Sequence, residues 1–372
     1  MKITLERAPL LRSLAHVHRV VERRNTIPIL SNVLLRASGD GLGLKATDLD
    51  LEVSEIVPAV VETPGATTVP AHMLHDIVRK LPDGSQVVLE TSSDQTTLAV
   101  HSGRARFTLQ MLPEQDFPDL TAGDFTHTFT VTSEDFKRLI DSTQFAISTE
   151  ETRYYLNGIY LHAVSPVDKL RLRAVATDGH RLAQAELDAP EGAEGMAGII
   201  VPRKTVSEIQ RLLTEGDETA SVELSDSKIR VTCGDVVLTS KLIDSTFPDY
   251  ERVIPRGNNK ALRVTCDDFT KAVDRVSTIS TERGRAVKLS VSDGRMILTV
   301  NNPESGSATE ELSVEYDSDP LDIGFNSRYL LDIAGQLRSD EAVFMLADPG
   351  SPTLIRDSGD DDALYVLMPM RV

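Results

Sequence analysis

The segment A-T-D-G-H-R-L-A at residues 176–183 begins with a triplet that the chain uses twice. The triplet stands first at 46–48 and again, about 130 residues later, at 176–178. Two other short patterns return in the same order, since F-P-D at 117–119 recurs at 247–249 and V-P at 69–70 recurs at 201–202. Because separate patterns repeat with nearly the same shift, the sequence predicts at least two copies of one domain.

A third, more diverged copy follows the second. The correspondence rests on three pairs of positions: Asp178 with Asn302, Pro202 with Asn326, and Pro248 with Pro369. The repeat is therefore about 125 residues long, which exceeds the repeats of solenoid proteins and indicates three similar domains. The predicted domains span residues 1–124, 125–253 and 254–372.

Within each copy the apolar residues change between a helical and a strand-like period. Phe136, Leu139 and Ile140 fall on one helical face, on which Ile147 also lies, and a second helix follows each V-P or F-N pattern. Between the helices lie stretches that alternate apolar and polar residues, as at 287–300. We therefore expect an α+β fold in which each domain packs two helices on antiparallel sheet.

The composition is that of a globular protein with a strong acidic excess. The chain has 372 residues and a formal net charge of −18, although DNA-binding domains usually carry a basic surface. The predicted helices are mildly basic, so the acidic excess lies in the rest of the chain. This distribution suits a protein that holds DNA loosely at one surface. Alternatively, the basic residues are only the solvated Lys and Arg side chains that amphipathic helices often carry. The sequence shows neither a signal peptide nor a membrane-spanning run, and we expect a cytoplasmic protein.

Asp178 and His180 are the pair that most resembles catalytic residues, because a carboxylate can orient an imidazole for proton transfer. A hydrolase that uses them is one hypothesis. Against it, the sequence contains no nucleophile or phosphate-binding motif, and Asp48 in the first copy has no histidine after it. His72 and His75 have helical spacing without a third metal ligand nearby. We expect no catalysis, no metal site and no cofactor.

Several motifs, in one order along the chain, carry a resemblance to a known family. They are I-P-I-L-S-N at 27–32, R-Y-Y-L-N-G at 153–158, A-T-D-G-H-R-L-A at 176–183, V-P-R-K at 201–204, F-P-D-Y at 247–250 and Y-V-L-M-P-M-R-V at 365–372. Together they resemble the beta subunit of bacterial DNA polymerase III, the family of DNA sliding clamps. The resemblance runs over the whole chain. It implies three domains of one fold, two subunits closed head to tail in a ring around duplex DNA, and a tethering function in replication without catalysis.

The resemblance also implies a cleft between the second and third domains that receives short peptides from partner proteins. Its positions are Leu156, Thr177, Gly179, His180, Arg181, Leu182, Pro248, Arg252, Val253, Val366, Met368, Pro369, Met370 and Arg371. Apolar walls beside flexible methionines suit such peptides. A methionine-rich carboxyl terminus that only caps a core is the alternative.

For DNA, the family's positions correspond to Arg24, Tyr154 and Tyr155, and Arg203 and Lys204 at the start of a predicted helix are further candidate contacts. A guanidinium can pair with a phosphate, and a tyrosine can stack or donate a hydrogen bond. This chain departs from the family pattern at Glu150, where glutamine is frequent. Because a carboxylate repels phosphate, this departure weakens the DNA-facing role of the loop.

The family's subunit contacts map onto residues of the first and third domains: Arg104, Arg106, Phe107 and Leu109, and Thr278, Ile279 and Glu310. The expected partners are a second copy of the chain, duplex DNA of any sequence, a clamp loader, replicative and translesion DNA polymerases and other proteins with short clamp-binding peptides; no membrane partner is expected. A DNA-independent adaptor built from the same domains is a further alternative. Retention on circular but not on linear DNA would distinguish a ring from such an adaptor.

Overall fold

The computed structural model describes residues 1–39, 41–120, 123–165, 169–280 and 285–372. The chain forms two compact units. The first contains Met1–Glu134 and Ser207–Leu242, and the second contains Asp135–Val206 and Ile243–Val372. Each unit therefore includes part of the middle repeat. Among the helices of the described ranges, none is long and apolar enough to cross a membrane.

Each predicted domain contains two α-helices in the part of the chain that the structure describes. They are α1 (Arg7–Val17), α2 (Ala71–Lys80), α3 (Ser133–Gln144), α4 (Arg203–Glu215), α5 (Cys266–Ser277) and α6 (Ser327–Ala334). The second helix of each pair begins where the V-P and F-N patterns predicted, directly after Pro70, Pro202 and Asn326. Proline is tolerated there because the first N–H groups of a helix have no partner within it. Asn326 instead caps α6 by accepting a hydrogen bond from the Arg328 N–H at 3.0 Å.

The strands are β1 (Lys2–Glu6), β2 (Asn32–Ser38), β3 (Gly41–Thr47), β4 (Leu51–Pro58), β5 (Val60–Thr63), β6 (Gly65–Pro70), β7 (Gln86–Thr91), β8 (Thr97–Ser102), β9 (Ala105–Gln110), β10 (His127–Thr132), β11 (Gly158–Val164), β12 (Arg171–Thr177), β13 (Arg181–Asp188), β14 (Ile199–Pro202), β15 (Thr219–Leu224), β16 (Lys228–Cys233), β17 (Val236–Lys241), β18 (Lys260–Thr265), β19 (Ala286–Ser292), β20 (Arg295–Asn302), β21 (Gly306–Ser313), β22 (Leu321–Asn326), β23 (Glu341–Leu346), β24 (Thr353–Asp357) and β25 (Ala363–Leu367). In the described ranges, four short 3₁₀ turns accompany them: Pro28–Ser31, Glu114–Asp116, Glu151–Leu156 and Tyr250–Val253.

The strands form two antiparallel sheets in each unit. The first unit has a five-stranded sheet in the order β5-β1-β7-β8-β9 and an eight-stranded sheet in the order β10-β15-β16-β17-β4-β3-β2-β6. The second unit has an eight-stranded sheet in the order β14-β11-β12-β13-β25-β24-β23-β18 and a four-stranded sheet in the order β21-β20-β19-β22. Helices on antiparallel sheets confirm the predicted α+β class.

Both eight-stranded sheets join two successive repeats by direct strand pairing. In the first unit β4 pairs with β17, and Glu52 lies opposite Thr239. In the second unit β13 pairs with β25, and Leu182 lies opposite Val366. Because of this backbone pairing, strands of two successive repeats belong to one continuous sheet at each junction.

The cores contain the apolar residues that the helical period predicted. Leu10 and Leu14 of α1 are fully buried, and Phe136 and Leu139 of α3 are buried as well. Ile147 is also buried, but it lies beyond the end of α3 at Gln144, so the predicted helical face was one turn too long. After α3 the backbone continues in tighter turns, in which the Ala146 N–H donates to the Thr143 carbonyl at 3.0 Å.

Candidate functional site

A cavity of about 200 Å³ opens on the second unit beside the paired strands β13 and β25. Its lining consists of Leu156, Thr177, Gly179, His180, Arg181, Leu182, Pro248, Asp249, Tyr250, Val253, Val366 and Met368. Leu156, Leu182 and Val366 are buried, whereas Val253 and Met368 are exposed at the rim. We call this cavity the cleft. An apolar floor with a flexible apolar rim can receive an apolar side chain of another molecule.

The turn between β12 and β13 forms one wall of the cleft, and the side chains of Thr177 and Asp178 fix its shape. The Thr177 hydroxyl accepts from the Gly179 N–H at 3.1 Å and donates to the Arg181 carbonyl at 2.7 Å. The Asp178 carboxylate accepts from the N–H groups of His180 and Arg181 at 2.9 and 3.1 Å. Gly179 has a φ of 89°, a left-handed conformation that favours glycine. Asp178 therefore has a structural role in the backbone turn, which argues against a hydrolase built on Asp178 and His180.

The same turn occurs in the first repeat and accounts for the recurring triplet. The Thr47 hydroxyl accepts from the Leu49 N–H at 3.0 Å. Asp48 accepts from the N–H groups two and three residues later, at 3.0 and 2.7 Å. At the corresponding position of the third repeat, Asn302 accepts from the N–H groups two and three residues later, at 2.9 and 3.3 Å. A short Asp or Asn side chain at this position can stabilise the turn, so the repeated pattern encodes structure.

Arg181 is buried next to this turn, and its guanidinium has partners on several sides. Nε donates to Asp178 at 3.1 Å, Nη1 donates to Asp332 at 2.6 Å, and Nη2 donates to the Phe145 carbonyl at 2.6 Å. The guanidinium carbon also lies 4.2 Å from the centroid of the Tyr329 ring. Arg181 thus ties the turn to α6, and its charge is compensated within the chain.

Tyr250 lines the cleft, and its hydroxyl belongs to a buried polar network behind it. The hydroxyl accepts from Arg173 Nη1 at 2.8 Å and lies 3.0 Å from His162 Nε2. Arg173 also donates from Nε to Glu186 at 2.8 Å. Burial, helped by the positive charge of Arg173, lowers the pKa of His162 to about 4. The cleft wall is therefore supported by a neutral imidazole. The sequence prediction missed Tyr250 and Asp249, although both lie in the F-P-D-Y motif.

The carboxyl-terminal residues pass the cleft after β25 ends at Leu367. The Met368 N–H donates to the His180 carbonyl at 2.9 Å, and the Met370 N–H donates to the Gly324 carbonyl at 2.8 Å. Met368 and Met370 are 40% and 39% exposed, yet only Met368 belongs to the cleft lining. The other predicted cleft residues outside this lining are Arg252, Pro369 and Arg371.

The residues predicted to contact DNA lie at the surface or are partly buried. Tyr154 is 54% exposed and Tyr155 is partly buried, and their 3₁₀ turn also carries the cleft residue Leu156. At the start of α4, Arg203 is exposed and Lys204 is partly buried. Arg24, the remaining predicted contact, is exposed in the first unit. One short segment of the second unit therefore links a predicted DNA contact to the cleft.

Glu150, the departure from the family pattern, forms a two-pronged ion pair with Arg153. Arg153 Nε lies 2.7 Å from Glu150 Oε2, and Nη2 contacts the other carboxylate oxygen. Hydrogen bonding to Arg153 lowers the pKa of Glu150. Because the guanidinium compensates this carboxylate, Glu150 repels a nearby phosphate less than an isolated glutamate would.

The residues predicted for a subunit interface lie on or near two sheet edges. β9 is an edge of the five-stranded sheet in the first unit, and β21 is an edge of the four-stranded sheet in the second unit. Phe107 on β9 is 38% exposed, whereas Leu109 is 3% exposed and lies opposite the buried Leu98. The Leu109 side chain is packed inside the chain, and its contact with a second subunit stays a prediction.

Glu310 on β21 is engaged by Arg275 of α5, whose Nε lies 3.0 Å from its carboxylate. An arginine of another subunit would therefore have to share this carboxylate with Arg275. Two other predicted interface residues follow α5: Thr278 is exposed and Ile279 is partly buried. The remaining two are exposed arginines, Arg104 directly before β9 and Arg106 within it.

His72 and His75 pack against the end of α1 and its following turn. His72 Nε2 lies 2.8 Å from the Val21 carbonyl, and His75 stacks on His18 with 3.9 Å between ring centroids. Within the described ranges, no group of three or more His, Cys, Asp or Glu residues could hold a metal ion. The two histidines therefore contribute to the packing of the first unit.

Comparison with known proteins identifies one family over nearly the whole chain. Three family models of the DNA polymerase III beta subunit match it: the N-terminal domain at residues 1–121, the central domain at 130–249 and the C-terminal domain at 251–371. The beta sliding clamp of Caulobacter vibrioides is 55% identical over 372 residues, and that of Escherichia coli strain K12 is 40% identical over 373 residues; in both, 100% of each chain is covered. The structure of a DnaN sliding clamp from Bartonella birtlesii bound to griselimycin is similar with a TM-score of 0.97, at 59% identity over 100% of both chains.

Proposed function

Because the chain belongs to the DNA polymerase III beta subunit family, the beta sliding clamps, we propose that its cleft binds short peptides of replication proteins while two chains encircle duplex DNA. The family acts as a processivity factor of DNA polymerase III and performs no catalysis.

The observation that carries the peptide site is the apolar floor of the cleft. Leu156, Leu182 and Val366 are buried under an opening that Val253 and Met368 border. A Leu or Phe side chain fits this environment, because covering exposed apolar surface is favourable. The backbone of a short flexible peptide loses conformational entropy on binding, so we expect micromolar affinity at each site.

Two open sheet edges support closure of a head-to-tail ring. Among the strands of the described ranges, β9 and β21 each have one side without a neighbouring strand. An exposed strand edge offers N–H and C=O groups that another strand can pair with. Pairing of β9 from one chain with β21 from the next would leave both edges satisfied, with Phe107 and Ile279 as apolar contacts beside them.

Arg24, Tyr154, Tyr155, Arg203 and Lys204 are the proposed DNA contacts. They are cationic or aromatic groups that can contact phosphate without reading sequence. The chain as a whole carries a charge of −18, so direct affinity for DNA should be weak and should fall with salt. Retention on DNA then comes from the closed ring.

The proposed partners are a clamp loader, replicative and translesion polymerases and other proteins with clamp-binding peptides, in the bacterial cytoplasm. With two clefts in each ring, partners could exchange while tethering on DNA raises their effective concentration. The domain boundaries at 124/125 and 253/254 belong to the same proposal, since they follow from the repeat.

Loading onto circular and linear DNA tests the ring. Clamps loaded on a nicked circular plasmid should stay bound in moderate salt and should slide off after the plasmid is linearised. Arg24→Ala should weaken direct binding to short duplexes but leave retention on the circle intact. Equal dissociation from both plasmid forms would argue for a DNA-independent adaptor.

A further inference from the structure

A shallow cavity of about 590 Å³ lies on the first unit, on the exposed face of β2, β3 and β4. Its lining includes Arg36, Gly41, Gly43, Ile56, Pro58 and Asp235. We call this cavity the glycine trough. It shares no lining residue with the cleft of the second unit, so a ligand of the trough would be recognised by a separate set of residues.

The second repeat has the same strands without the glycines. Strands β3 and β4 correspond to β12 and β13 residue by residue, 130 positions later, and both pairs have the same register. Charged residues match the trough positions there: Gly41 is matched by Arg171, Gly43 by Arg173, Ile56 by Glu186, Pro58 by Asp188 and Asp235 by Asp362. The last match follows from pairing, because each of these aspartates directly precedes a strand that pairs with β4 or β13 in the same register.

The two arginines cover the corresponding surface of the second unit with ion pairs. Arg171 contacts the carboxylates of Asp188 and Asp362. Arg173 donates from Nε to Glu186 at 2.8 Å. The side chains of Arg171 and Arg173 are only 14% and 9% exposed, so their aliphatic stems pack on the sheet while their guanidinium groups meet the carboxylates.

In the first unit one of these carboxylates is kept, but both arginines are missing. Asp235 is exposed, and among the residues that the structure describes no Lys, Arg or His lies within ion-pair distance of it. Ile56 lies opposite Gly43, has no side chain beside it there, and is 67% exposed. Arg36 lies on the far side of Gly43, about 14 Å from Asp235 at the usual strand spacing, and contacts Glu114 at 3.5 Å. The trough thus presents an uncompensated carboxylate beside uncovered apolar surface.

The backbone at Gly43 can accept a side chain. Its φ lies outside the left-handed region, and a Cβ placed on it would lie 3.6 Å from the Arg36 carbonyl oxygen, which is an ordinary contact distance. Glycine within a strand lowers stability, and it frequently marks a place where another molecule approaches the backbone closely. Gly43 therefore leaves room on the sheet that the strand conformation itself does not demand.

We propose that the glycine trough receives an arginine side chain of a partner protein. The aliphatic stem of this arginine would cover Gly43 and pack on Ile56, and its guanidinium would pair with Asp235. It would supply the contacts that Arg171 makes within the second unit. The net charge of −18 attracts a basic protein surface and repels a nucleic acid, which favours a protein as the source of the ligand.

NMR of the methyl-labelled full chain tests the inference, with the Ile56 methyl resonance as the reporter. The probes are the capped tripeptide Ala-Arg-Ala and a matched tripeptide with citrulline, which has the shape of arginine without its charge. For the wild type we expect a saturable shift at millimolar peptide, with about twofold to fivefold tighter binding of the arginine peptide, because an exposed ion pair contributes up to about fivefold. High salt should reduce this preference.

Two variants separate the charge from the space. Asp235→Asn should remove the preference for arginine over citrulline. Gly43→Val fills the trough and should abolish the shift, while its thermal midpoint rises because valine favours a strand more than glycine does. Asp226→Asn is the matched control, since Asp226 is another exposed aspartate of the first unit that lies outside the trough, and it should keep the preference.

The inference is wrong if the wild type binds the arginine and citrulline peptides equally, or if Ile56 shows no saturable shift. It is also wrong if the preference survives in Asp235→Asn, or if a folded Gly43→Val binds as the wild type does. A light-scattering mass that grows beyond that of the ring with concentration, and that Asp235→Asn reduces, would assign the arginine to a second copy of this chain in place of a partner protein. None of these results would bear on peptide binding at the cleft.

Discussion

Replacing Met368 by alanine should weaken peptide binding by about threefold to eightfold. Met368 lines the cleft, and 40% of its surface is exposed in the free chain. Complete burial of a methionine side chain is worth about 1.5–3 kcal/mol, so covering the exposed fraction contributes about 0.6–1.2 kcal/mol. At 25 °C this free energy corresponds to the stated change in Kd.

Fluorescence anisotropy of a labelled peptide with adjacent Leu and Phe residues would measure the effect. Met73→Ala is the matched control, because Met73 is 54% exposed on α2 of the first unit and does not line the cleft. It should change Kd by less than about twofold. Deletion of Met368–Val372 also removes the backbone hydrogen bonds to His180 and Gly324, and should abolish measurable binding while the dimer remains.

Two results would refute this reasoning. An unchanged Kd for Met368→Ala, in a variant that unfolds at the wild-type temperature, would mean that the peptide does not cover Met368. A larger loss for Met73→Ala than for Met368→Ala would place the peptide away from the cleft. Neither outcome would contradict the pairing of strand β13 with strand β25.

The remaining predictions concern assembly, stability and pH. Ile279→Asp should open the ring, because it puts a charge beside the β21 edge, and light scattering should then report a monomer; a stable dimer would contradict the proposed interface. Tyr250→Phe should lower the free energy of unfolding by about 1–3 kcal/mol, since Arg173 and His162 each lose a buried partner; an unchanged denaturation curve would show that this network is not important for stability. The free energy of unfolding should fall as the pH drops from about 6.5 to about 4, because the unfolded chain takes up a proton on His162 before the folded chain does. His162 accounts for at most about 3 kcal/mol of that fall, and His162→Gln should make the pH profile of the denaturation midpoint less steep in this range.

The repeated patterns were enough to predict the domain count, the α+β class and the starts of the second helices. Proline stands directly before α2 and α4 and marks the start of both helices, and the buried residues of α1 follow from a simple period. The end of α3 was harder to predict. Ile147 continues the apolar spacing after the helix has stopped, so periodicity alone cannot distinguish a further helical turn from a buried loop residue.

The cleft was predicted from a resemblance, and its supporting contacts were not predicted at all. Arg181 reads as a polar rim residue in sequence, but its partners Asp332 and Phe145 lie far away along the chain. Leu109 illustrates the same limit on a strand. It shares a face with Phe107 by the two-residue period, yet only Phe107 stays exposed, because the chain's own core covers one end of β9 and not the other. Such differences depend on which distant segments pack together.

The junction between the first and second repeats shows why the T-D turn alone does not make a binding site. There Glu52 lies opposite Thr239, just as Leu182 lies opposite Val366 at the cleft. Glu52 is buried, pairs with Lys45 at 3.2 Å and accepts from the Leu120 N–H at 3.1 Å. The position that provides an apolar floor in the second unit thus holds a compensated charge in the first, even though the turn and the strand pairing are the same. Since removing a paired carboxylate from its partners costs free energy, an apolar peptide side chain gains nothing by displacing them. We therefore expect the residue four places after the Asp of each triplet, Glu52 or Leu182, to decide whether a junction can receive an apolar ligand.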